Sequence, residues 1–187
     1  MKYAPNIHHR KSIRLRGYDY SSAGMYFITP CVQNRICIFG EIQNGEIILN
    51  QFGQIEYDQW YLLPERFPNV DFDEFIVMPN HVHGIIILRN DGATLVVAQN
   101  ETVDNDIRAT VKVATNPTIG DIVGAYKSLV VHHCLEYIKP NCPEKRLGKL
   151  WQRNYWEHII RTDNDYKRIA DYIKNNLKKW NNDKLRL

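Results

Sequence analysis

The chain has 187 residues, of which 44% are hydrophobic and 11% aromatic. This length and composition predict one domain spanning residues 1–187, with enough apolar side chains for a core. No stretch is apolar enough to span a membrane, and the basic residues 1–16 lack the apolar region of a secretory signal. The four cysteines form no CxxC pair, which argues against a zinc ribbon or thioredoxin motif and favours a reduced, cytoplasmic protein.

Positive charge is concentrated in the last quarter of the chain. The net charge is only +3, but residues 141–187 contain 12 Lys or Arg against 6 Asp or Glu. Such a surplus suits a polyanionic partner such as a nucleic acid. On charge alone, a solvated helix face explains the pattern equally well.

The first third of the chain predicts a strand, a hairpin and a helix. Residues 24–34 are rich in aromatic and β-branched residues and predict the strand. Residues 36–39 and 46–49 flank Gln43-Asn44-Gly45, and Asn-Gly between apolar runs is a strong hairpin signal. Residues 50–64 carry apolar side chains near helical spacing and predict the first helix.

The middle of the chain predicts two strands followed by an insert. Residues 70–78 and 82–88 are the strands, joined by a turn that contains proline and asparagine. Residues 90–117 form the insert, in which the stretches 93–99 and 109–115 resemble each other. These stretches predict either a second hairpin or a segment without fixed structure.

The last third predicts a helix over residues 118–139 that Pro140 ends, a strand over 156–161 and a helix over 162–180. Without the hairpin, the element order is β-α-β-β-α-β plus a C-terminal helix. That order is typical of the ferredoxin-like split β-α-β arrangement, so the expected fold class is α+β with an antiparallel sheet.

The segment Asn80-His81-Val82-His83-Gly84 offers two candidate metal ligands. Residues two apart on a strand point to the same face, so His81 and His83 are expected to present two imidazoles together. Two neutral imidazoles can hold a divalent cation and leave positions open for substrate oxygens. The alternative is a pair of surface histidines, but the apolar run that follows indicates a central strand.

Tyr172 on the last helix is the candidate nucleophile. The apolar side of this helix has helical spacing and comprises Tyr166, Ile169, Ile173, Leu177 and Trp180. Tyr172 lies at the edge of that side, and Arg168 and Asn176, each four residues away, share its face. The alternative interpretation is an ordinary amphipathic tyrosine at a helix boundary.

A tyrosine beside a metal ion suggests a specific chemistry. A phenol has a pKa of about 10 and is a poor nucleophile at neutral pH without help. A divalent cation on a phosphodiester polarises it for in-line attack. Attack by tyrosine leaves a covalent phosphotyrosine, which conserves the bond for rejoining. The pattern therefore points to cutting and joining rather than to hydrolysis.

Taken together, these motifs resemble those of a known family. The chain is similar to the HUH single-tyrosine transposases, and among them to the REP-associated tyrosine transposases of the transposase IS200-like superfamily. The segments that carry the resemblance are RKSIRLRGYDY (10–20), 26–34, VMPNHVHG (77–84), IGDIVGAYKS (119–128), LWQRNYWEHIIR (150–161) and DYIKNN (171–176).

The resemblance implies a function and a set of site residues. His81 and His83 would bind Mg²⁺ or Mn²⁺, and Tyr172 would form a 5′-phosphotyrosine with single-stranded DNA and free a 3′-OH. Asn176 stands where insertion-sequence members carry a glutamine that also binds the metal. The implied partner is single-stranded or hairpin DNA, such as a repetitive extragenic palindrome, and relatives act as monomers or homodimers.

Four further residues are candidates for DNA contacts: Trp151, Arg153, Lys127 and Arg168. Packing in the core is an equal alternative for the tryptophan, and solvation is the alternative for the lysine. Two other functions remain open from the sequence. One is a hairpin-binding protein without catalysis. The other is a hydrolytic phosphoesterase, although the two-histidine phosphoesterases need two separate H-x-T or H-x-S motifs, and this chain has a single HxH.

Overall fold

A four-stranded antiparallel sheet forms the centre of the part of the chain that the computed structural model describes, residues 14–90, 117–144 and 146–186. The strands are β1 (Gly24–Val32), β2 (Gly40–Gln43), β3 (Glu46–Leu49), β4 (Val70–Met78), β5 (His81–Leu88) and β6 (Trp151–Ile160). The helices are α1 (Gln51–Tyr61), α2 (Leu63–Arg66), α3 (Ile119–Asn141) and α4 (Asp163–Lys174). The sheet has the order β4-β5-β1-β6, and β2 and β3 form a separate hairpin.

This topology confirms the expected fold class. The order β1-α1-β4-β5-α3-β6 is the split β-α-β arrangement, with β5 inserted beside β1 and antiparallel to it. The C-terminal helix α4 follows the last strand, as expected. The insert at residues 90–117, apart from its two end residues, lies outside the described ranges. None of the helices in those ranges is long and apolar enough to cross a membrane.

The two faces of the sheet are covered by different helices. Alternate residues of β5, such as Val82 and Ile86, belong to the main core with α1 and α3. The other set, which includes Ile85, packs in a smaller cluster with Ile169 and Ile173 of α4. Strand alternation therefore decides which residues of β5 meet α4, and His81 and His83 have the same parity as Ile85.

Gly84 matters because of an aromatic ring on the main-core side. Its Cα faces the fully buried Trp60 of α1, and a Cβ built there would lie 2.3 Å from the indole Cζ2. Trp60 in turn stacks on Phe75, with ring centroids 4.5 Å apart. The glycine thus allows α1 to approach the sheet closely.

Two boundaries in the first third differ from the sequence expectation. The first strand ends at Val32 instead of residue 34, because Asn34 and Arg35 adopt positive φ in a 3₁₀ turn. The hairpin pairs residues 40–43, not 36–39, with 46–49. Backbone N–H groups of Ile38 and Phe39 instead donate to the Pro79 carbonyl. The Asn44-Gly45 turn is present, with φ values of 52° and 84°.

The helices also differ from expectation at their ends. The helix expected over residues 50–64 ends at Tyr61, and a separate turn, α2, follows it. Asn50 caps α1 by accepting from two backbone N–H groups. Thr118 caps α3 in a capping box, and α3 extends to Asn141, so Pro140 lies in its last turn instead of ending it.

The last strand and helix show the largest corrections. β6 begins at Trp151, not at 156, because it continues to pair with β1 past a bulge between Pro30 and Val32. A proline, which has no N–H, is tolerated in a strand at such an irregularity. The last helix ends at Lys174 instead of 180, since Asn175 turns the chain into a 3₁₀ segment, Leu177–Asn182.

We predict that Gly84→Ala lowers the free energy of unfolding by about 1–3 kcal/mol, the usual cost of overpacking a core. Urea denaturation measures this loss. Gly124→Ala is the matched control: its Cβ would meet no atom within 4 Å, and alanine favours a helix over glycine by about 1 kcal/mol. Equal stability of the Gly84→Ala variant and the wild-type protein would contradict the close packing of Trp60 on β5.

Candidate active site

His81, His83 and Tyr172 meet on the α4 side of the sheet. The two histidine Nε2 atoms are 3.1 Å apart, and the Tyr172 hydroxyl is 3.2 Å from Nε2 of His83. Both imidazoles are buried, whereas Tyr172 is 37% exposed. The three side chains come from β5 and α4, so packing of the helix on the sheet brings them together.

The hydrogen bond of Asn80 determines the tautomer of His81. The Asn80 amide nitrogen donates to the carbonyls of Arg35 and Leu185, which leaves its Oδ1 as an acceptor. Nδ1 of His81 is 2.7 Å from that oxygen and must therefore carry the proton. Nε2 of the neutral ring then bears a lone pair directed at His83.

Thr29 gives His83 a choice between tautomers. Its hydroxyl is 2.8 Å from Nδ1 of His83 and can either donate or accept. When the hydroxyl donates, Nε2 of His83 carries the proton and donates to His81. When it accepts, Nε2 of His83 has a lone pair beside that of His81. Two such lone pairs at 3.1 Å repel each other unless a cation lies against both.

Burial keeps both rings neutral. Desolvation, and to a lesser degree the positive charge of Arg35, lowers the pKa of His81 to about 3. The pKa of His83 is also well below its usual value, chiefly through burial and then through His81. Both rings are therefore unprotonated at neutral pH, which is the form that binds a metal.

The C-terminal segment adds a carboxylate that the sequence interpretation missed. Oδ2 of Asp183 is 3.7 Å from Nε2 of His81, and ligand atoms of Asp183, His81 and His83 all lie within 4.8 Å of one another. Asp183 reaches this position because α4 ends at Lys174 and the chain then folds back across the sheet. There the Leu185 carbonyl accepts a hydrogen bond from Asn80. No motif marks a lone aspartate eleven residues after Tyr172, so its position depends on the turn at Asn175.

Asn176 lies four residues after Tyr172, and its side chain hydrogen-bonds the phenol. The residue is buried, and its Oδ1 has no hydrogen-bond partner among the described residues. The same holds for Oδ2 of Asp183. Unpaired buried oxygens are costly. Two imidazoles with the Asp183 carboxylate nearby provide the nitrogen and oxygen donors that divalent cations bind.

A second possible group, His132, His133 and Glu136, lies on the surface of α3. Its two histidines already pair with Glu136 in the structure. Its side chains are largely solvated, and it has none of the orphaned buried oxygens seen near His81. Substitution of Glu136 is therefore a suitable control for substitutions at the buried histidine pair.

The environment of Tyr172 disfavours spontaneous ionisation. Burial, followed by the negative charge of Asp183, raises the pKa of the phenol, while a hydrogen bond from Asn176 acts in the opposite direction. The ring meets Phe27 edge-on at 6.1 Å between centroids. The phenol therefore needs a nearby positive charge to act as a nucleophile at neutral pH.

Tyr155 and Tyr166 occupy other positions. Tyr155 is buried on the opposite face of the sheet, within β6 rather than before it, and its hydroxyl accepts from Arg14. The Tyr166 hydroxyl donates to Asp73 at 2.6 Å, and that carboxylate raises the phenol pKa to about 12. Of these three tyrosines, Tyr172 has its hydroxyl at the histidine pair.

The four candidate DNA contacts fall in three different settings. Trp151 is buried, and its indole N–H donates to the Lys127 carbonyl, so its ring is used in the core and is not available for stacking on bases. The Lys127 ammonium donates to the Gln152 and Arg153 carbonyls. The Arg153 side chain is exposed. Arg168 is also exposed and pairs with Asp165, which pairs in turn with His158.

Trp156 is the exposed aromatic residue of this region. Its side chain is 62% accessible, and its cross-strand partner is Thr29. Cross-strand partners lie on the same face of a sheet, so the indole is on the face of the histidine pair. It is two strands away from β5, about 10 Å at the usual strand spacing.

Comparison with known proteins finds relatives of the whole chain. No protein-family model matches it. It is 41% identical over 186 residues to an uncharacterized protein of Haemophilus influenzae, covering 98% of this chain and 97% of that protein. It is also 25% identical over 155 residues to a second H. influenzae protein with the provisional name REP-associated tyrosine transposase, covering 83% of this chain and 70% of the other.

A solved structure has a similar fold. It is a REP-associated tyrosine transposase bound to a REP hairpin, and it superposes with a TM-score of 0.56 at 20% identity. The alignment covers 91% of this chain and 74% of the other. This similarity supports the α+β arrangement described above.

We predict that the protein binds Mn²⁺ at the histidine pair and that Asp183→Asn weakens binding at least about tenfold, the lower range for loss of groups that support a metal. His83→Ala should weaken it further, since that residue supplies a nitrogen ligand. Isothermal titration calorimetry measures both affinities. Glu136→Gln, at the exposed group on α3, is the control and should bind as the wild type does. Unchanged affinity in both site variants would refute the metal assignment.

Proposed function

This chain belongs to the family of its full-length H. influenzae relative and is similar to REP-associated tyrosine transposases, and from this premise we propose that it cleaves and rejoins single-stranded DNA. In this proposal the enzyme is an HUH-type transposase that acts through a 5′-phosphotyrosine and recognises DNA hairpins, such as repetitive extragenic palindromes. The similar solved protein is bound to such a hairpin.

One observation carries the proposal: the Tyr172 hydroxyl lies 3.2 Å from Nε2 of the buried His83, and that atom lies 3.1 Å from Nε2 of His81. A structural tyrosine has no need of such neighbours. A hydrolytic enzyme would activate water and would not need a phenol at this point. The combination of a partly exposed tyrosine and convergent metal-type donors suits covalent transfer.

The donor set fits a divalent cation such as Mg²⁺ or Mn²⁺. His81 and His83 would hold it with their Nε2 atoms, Asp183 with its orphaned Oδ2, and Asn176 with its orphaned Oδ1. When bound, the cation offsets the negative charge that builds up on the scissile phosphate and favours the ionised phenol.

In the proposed reaction, Tyr172 is the nucleophile and the residues packed around it hold its ring in place. The Tyr172 oxygen attacks phosphorus, a bond from the phenol to phosphorus forms, and the bond from phosphorus to the 3′ oxygen breaks. The phenol loses its proton to solvent, and the leaving oxygen gains one to become a 3′-OH. Rejoining is the reverse attack by a 3′-OH, which regenerates the phenol. Phe27 and Ile173 position the helix and ring on the sheet.

Single-stranded DNA is the proposed partner because an exposed indole lies on the same face of the sheet as the site. Bases that are not paired can stack on an aromatic ring, whereas bases inside a duplex cannot. Trp156, on the same face as the histidines, is available for this contact. The alternative, a hairpin-binding protein without catalysis, would need the same surface but would not need Tyr172.

We predict that Tyr172→Phe abolishes both strand cleavage and the covalent DNA adduct, while DNA binding is retained. The substitution removes one half-buried hydroxyl, so the fold should persist. A denaturing gel with flanking single-stranded DNA and Mn²⁺ detects the adduct, and mass spectrometry locates the modified residue. Tyr166→Phe is the control, because its hydroxyl bonds Asp73 and not the histidine pair.

The outcomes of this experiment separate the candidate functions. A wild-type protein that binds DNA but forms no adduct would favour the non-catalytic hairpin binder. Cleavage by Tyr172→Phe without an adduct would indicate hydrolysis. A phosphotyrosine mapped to Tyr166 or Tyr155 would overturn the assignment of the nucleophile.

We predict that Trp156→Ala reduces affinity for single-stranded DNA by about 5- to 150-fold, as expected for the loss of one stacked base at about 1–3 kcal/mol. Affinity for duplex DNA should change little. The other three tryptophans, Trp60, Trp151 and Trp180, are buried. Quenching of intrinsic fluorescence by single-stranded DNA should therefore arise mainly at Trp156 and be largely lost in the variant. Equal quenching in both proteins would contradict the stacking contact.

A further inference from the structure

A second polar cavity lies where α3 meets β6, outside the histidine and tyrosine site. Its volume is about 260 Å³, and its lining includes Arg14, Gly120, Gly124, Lys127, Arg153 and Asn154. Tyr155 also lines it, and that ring belongs to the main core on the α1 and α3 side of the sheet. The cavity is therefore on the opposite side of β6 from Trp156.

The lining of this cavity carries positive charge. Three cationic side chains reach it, and no Asp or Glu is among the lining residues. Arg14 is partly compensated, because its Nε is 3.8 Å from a Glu157 carboxylate oxygen. Arg153 and Lys127 form no ion pair with a carboxylate within the described ranges. The cavity thus has an excess of positive charge in a partly desolvated setting, where an anion is attracted strongly.

Lys127 is held in place as a donor. Its ammonium nitrogen is 2.7 Å from the Gln152 carbonyl and 3.4 Å from that of Arg153, and an ammonium has three protons to donate. Burial and then the nearby charge of Lys149 lower the pKa of this amine. Both effects disfavour the charged amine because no counter-ion among the described residues lies beside it. An anion bound here would stabilise the charged form.

The helix wall of the cavity consists of two glycines one turn apart. A Cβ at Gly120 would lie 2.9 Å from the Arg14 guanidinium, so the absence of a side chain lets that group reach the cavity. At Gly124 a Cβ would meet no atom within 4 Å, so this wall is open to a ligand. The backbone can therefore be approached closely, as at other phosphate sites.

We propose that this cavity binds a backbone phosphate of the DNA strand, at a point separate from the phosphate that reacts with Tyr172. The inference rests on the proposed function for the identity of the polyanion as DNA, but it does not depend on cleavage by Tyr172. A phosphodiester matches the cationic lining and the amide of Asn154, and a cavity of this size admits a single phosphate group. The role of the site is to position the strand around the edge strand β6.

Variants of Gly124 test the proposal without removing any existing side chain. Gly124→Glu places a carboxylate in the cavity, Gly124→Gln places a neutral side chain of the same size there, and Gly124→Ala leaves the cavity open. Affinity for a labelled hairpin with a single-stranded flank is measured by fluorescence anisotropy across a range of salt concentrations. The titrations omit divalent metal, so that cleavage plays no part.

The glutamate variant should lose at least tenfold in affinity, and the glutamine variant should lose less. The alanine variant adds a single methyl group to the wall and should lose the least of the three. Loss of one contacted phosphate should also reduce the slope of log affinity against log salt by about 0.7 for a single strand. Arg153→Gln should reduce the slope similarly. Lys139→Gln is the control, since Lys139 is exposed and lies 12 residues along α3 from Lys127, about 18 Å.

Three results would overturn the proposal. The first is an unchanged salt slope in Gly124→Glu and Arg153→Gln, and the second is equal losses in the glutamate and glutamine variants. The third is saturable binding of inorganic phosphate that Gly124→Glu abolishes while DNA affinity stays the same, which would make the cavity a small-anion site. All three are independent of the Tyr172 adduct, so failure of the catalytic proposal and failure of this one are distinguishable.

Discussion

The site depends on one local contact: two buried, neutral imidazoles face each other at 3.1 Å on a central strand. Asn80 holds the His81 ring so that its lone pair points inward, and Thr29 holds the second ring in either of two tautomers. In the tautomer in which both Nε2 atoms carry lone pairs, this arrangement costs free energy without a cation, because two buried acceptors face each other. It is maintained because strand pairing and helix packing on both sides leave the rings no other position.

The two faces of the sheet differ in what packs on them: one carries the main core and the other carries the candidate site. On one face, Trp60 packs against Gly84 and gives the main core its tight contact between helix and sheet. On the other, α4 covers a small apolar cluster and leaves the histidines next to Tyr172. Alternate residues of β5 lie on different faces of the sheet. The tight packing at Gly84 therefore does not compete with the polar side chains of His81 and His83 on the other face.

The segment after α4 closes the site from a third direction. The turn at Asn175 and Asn176 redirects the chain, so that Asp183 comes near His81 while the Leu185 carbonyl bonds Asn80. Asn80 thereby links the loop before β2, the histidine strand and the C-terminal segment through one side chain. A change in this segment would affect the histidine orientation as well as the carboxylate, since both depend on the same amide.

Periodicity in the sequence was sufficient for the fold class and for the pairing of His81 with His83 on one face, because both follow from local geometry. A strand alternates its side chains whatever lies around it, and the apolar stripe of α4 has helical spacing by itself. The capping residues Asn50 and Thr118 and the Asn44-Gly45 turn are local for the same reason. Spacing put Tyr172 at the edge of the apolar side of α4, and the motif resemblance added the role of nucleophile.

Only the tertiary structure decided the long-range contacts. The hairpin register changed because Ile38 and Phe39 bond to Pro79, forty residues further along the chain. Trp151 was a candidate DNA contact with core packing as an equal alternative, and it lies in the core; Asp183 was overlooked but lies near His81. Each of these outcomes depends on which distant segment a residue meets, and residue type and local spacing carry no information about that. The sequence therefore determined the elements and their faces, whereas the meeting of three elements determined the site.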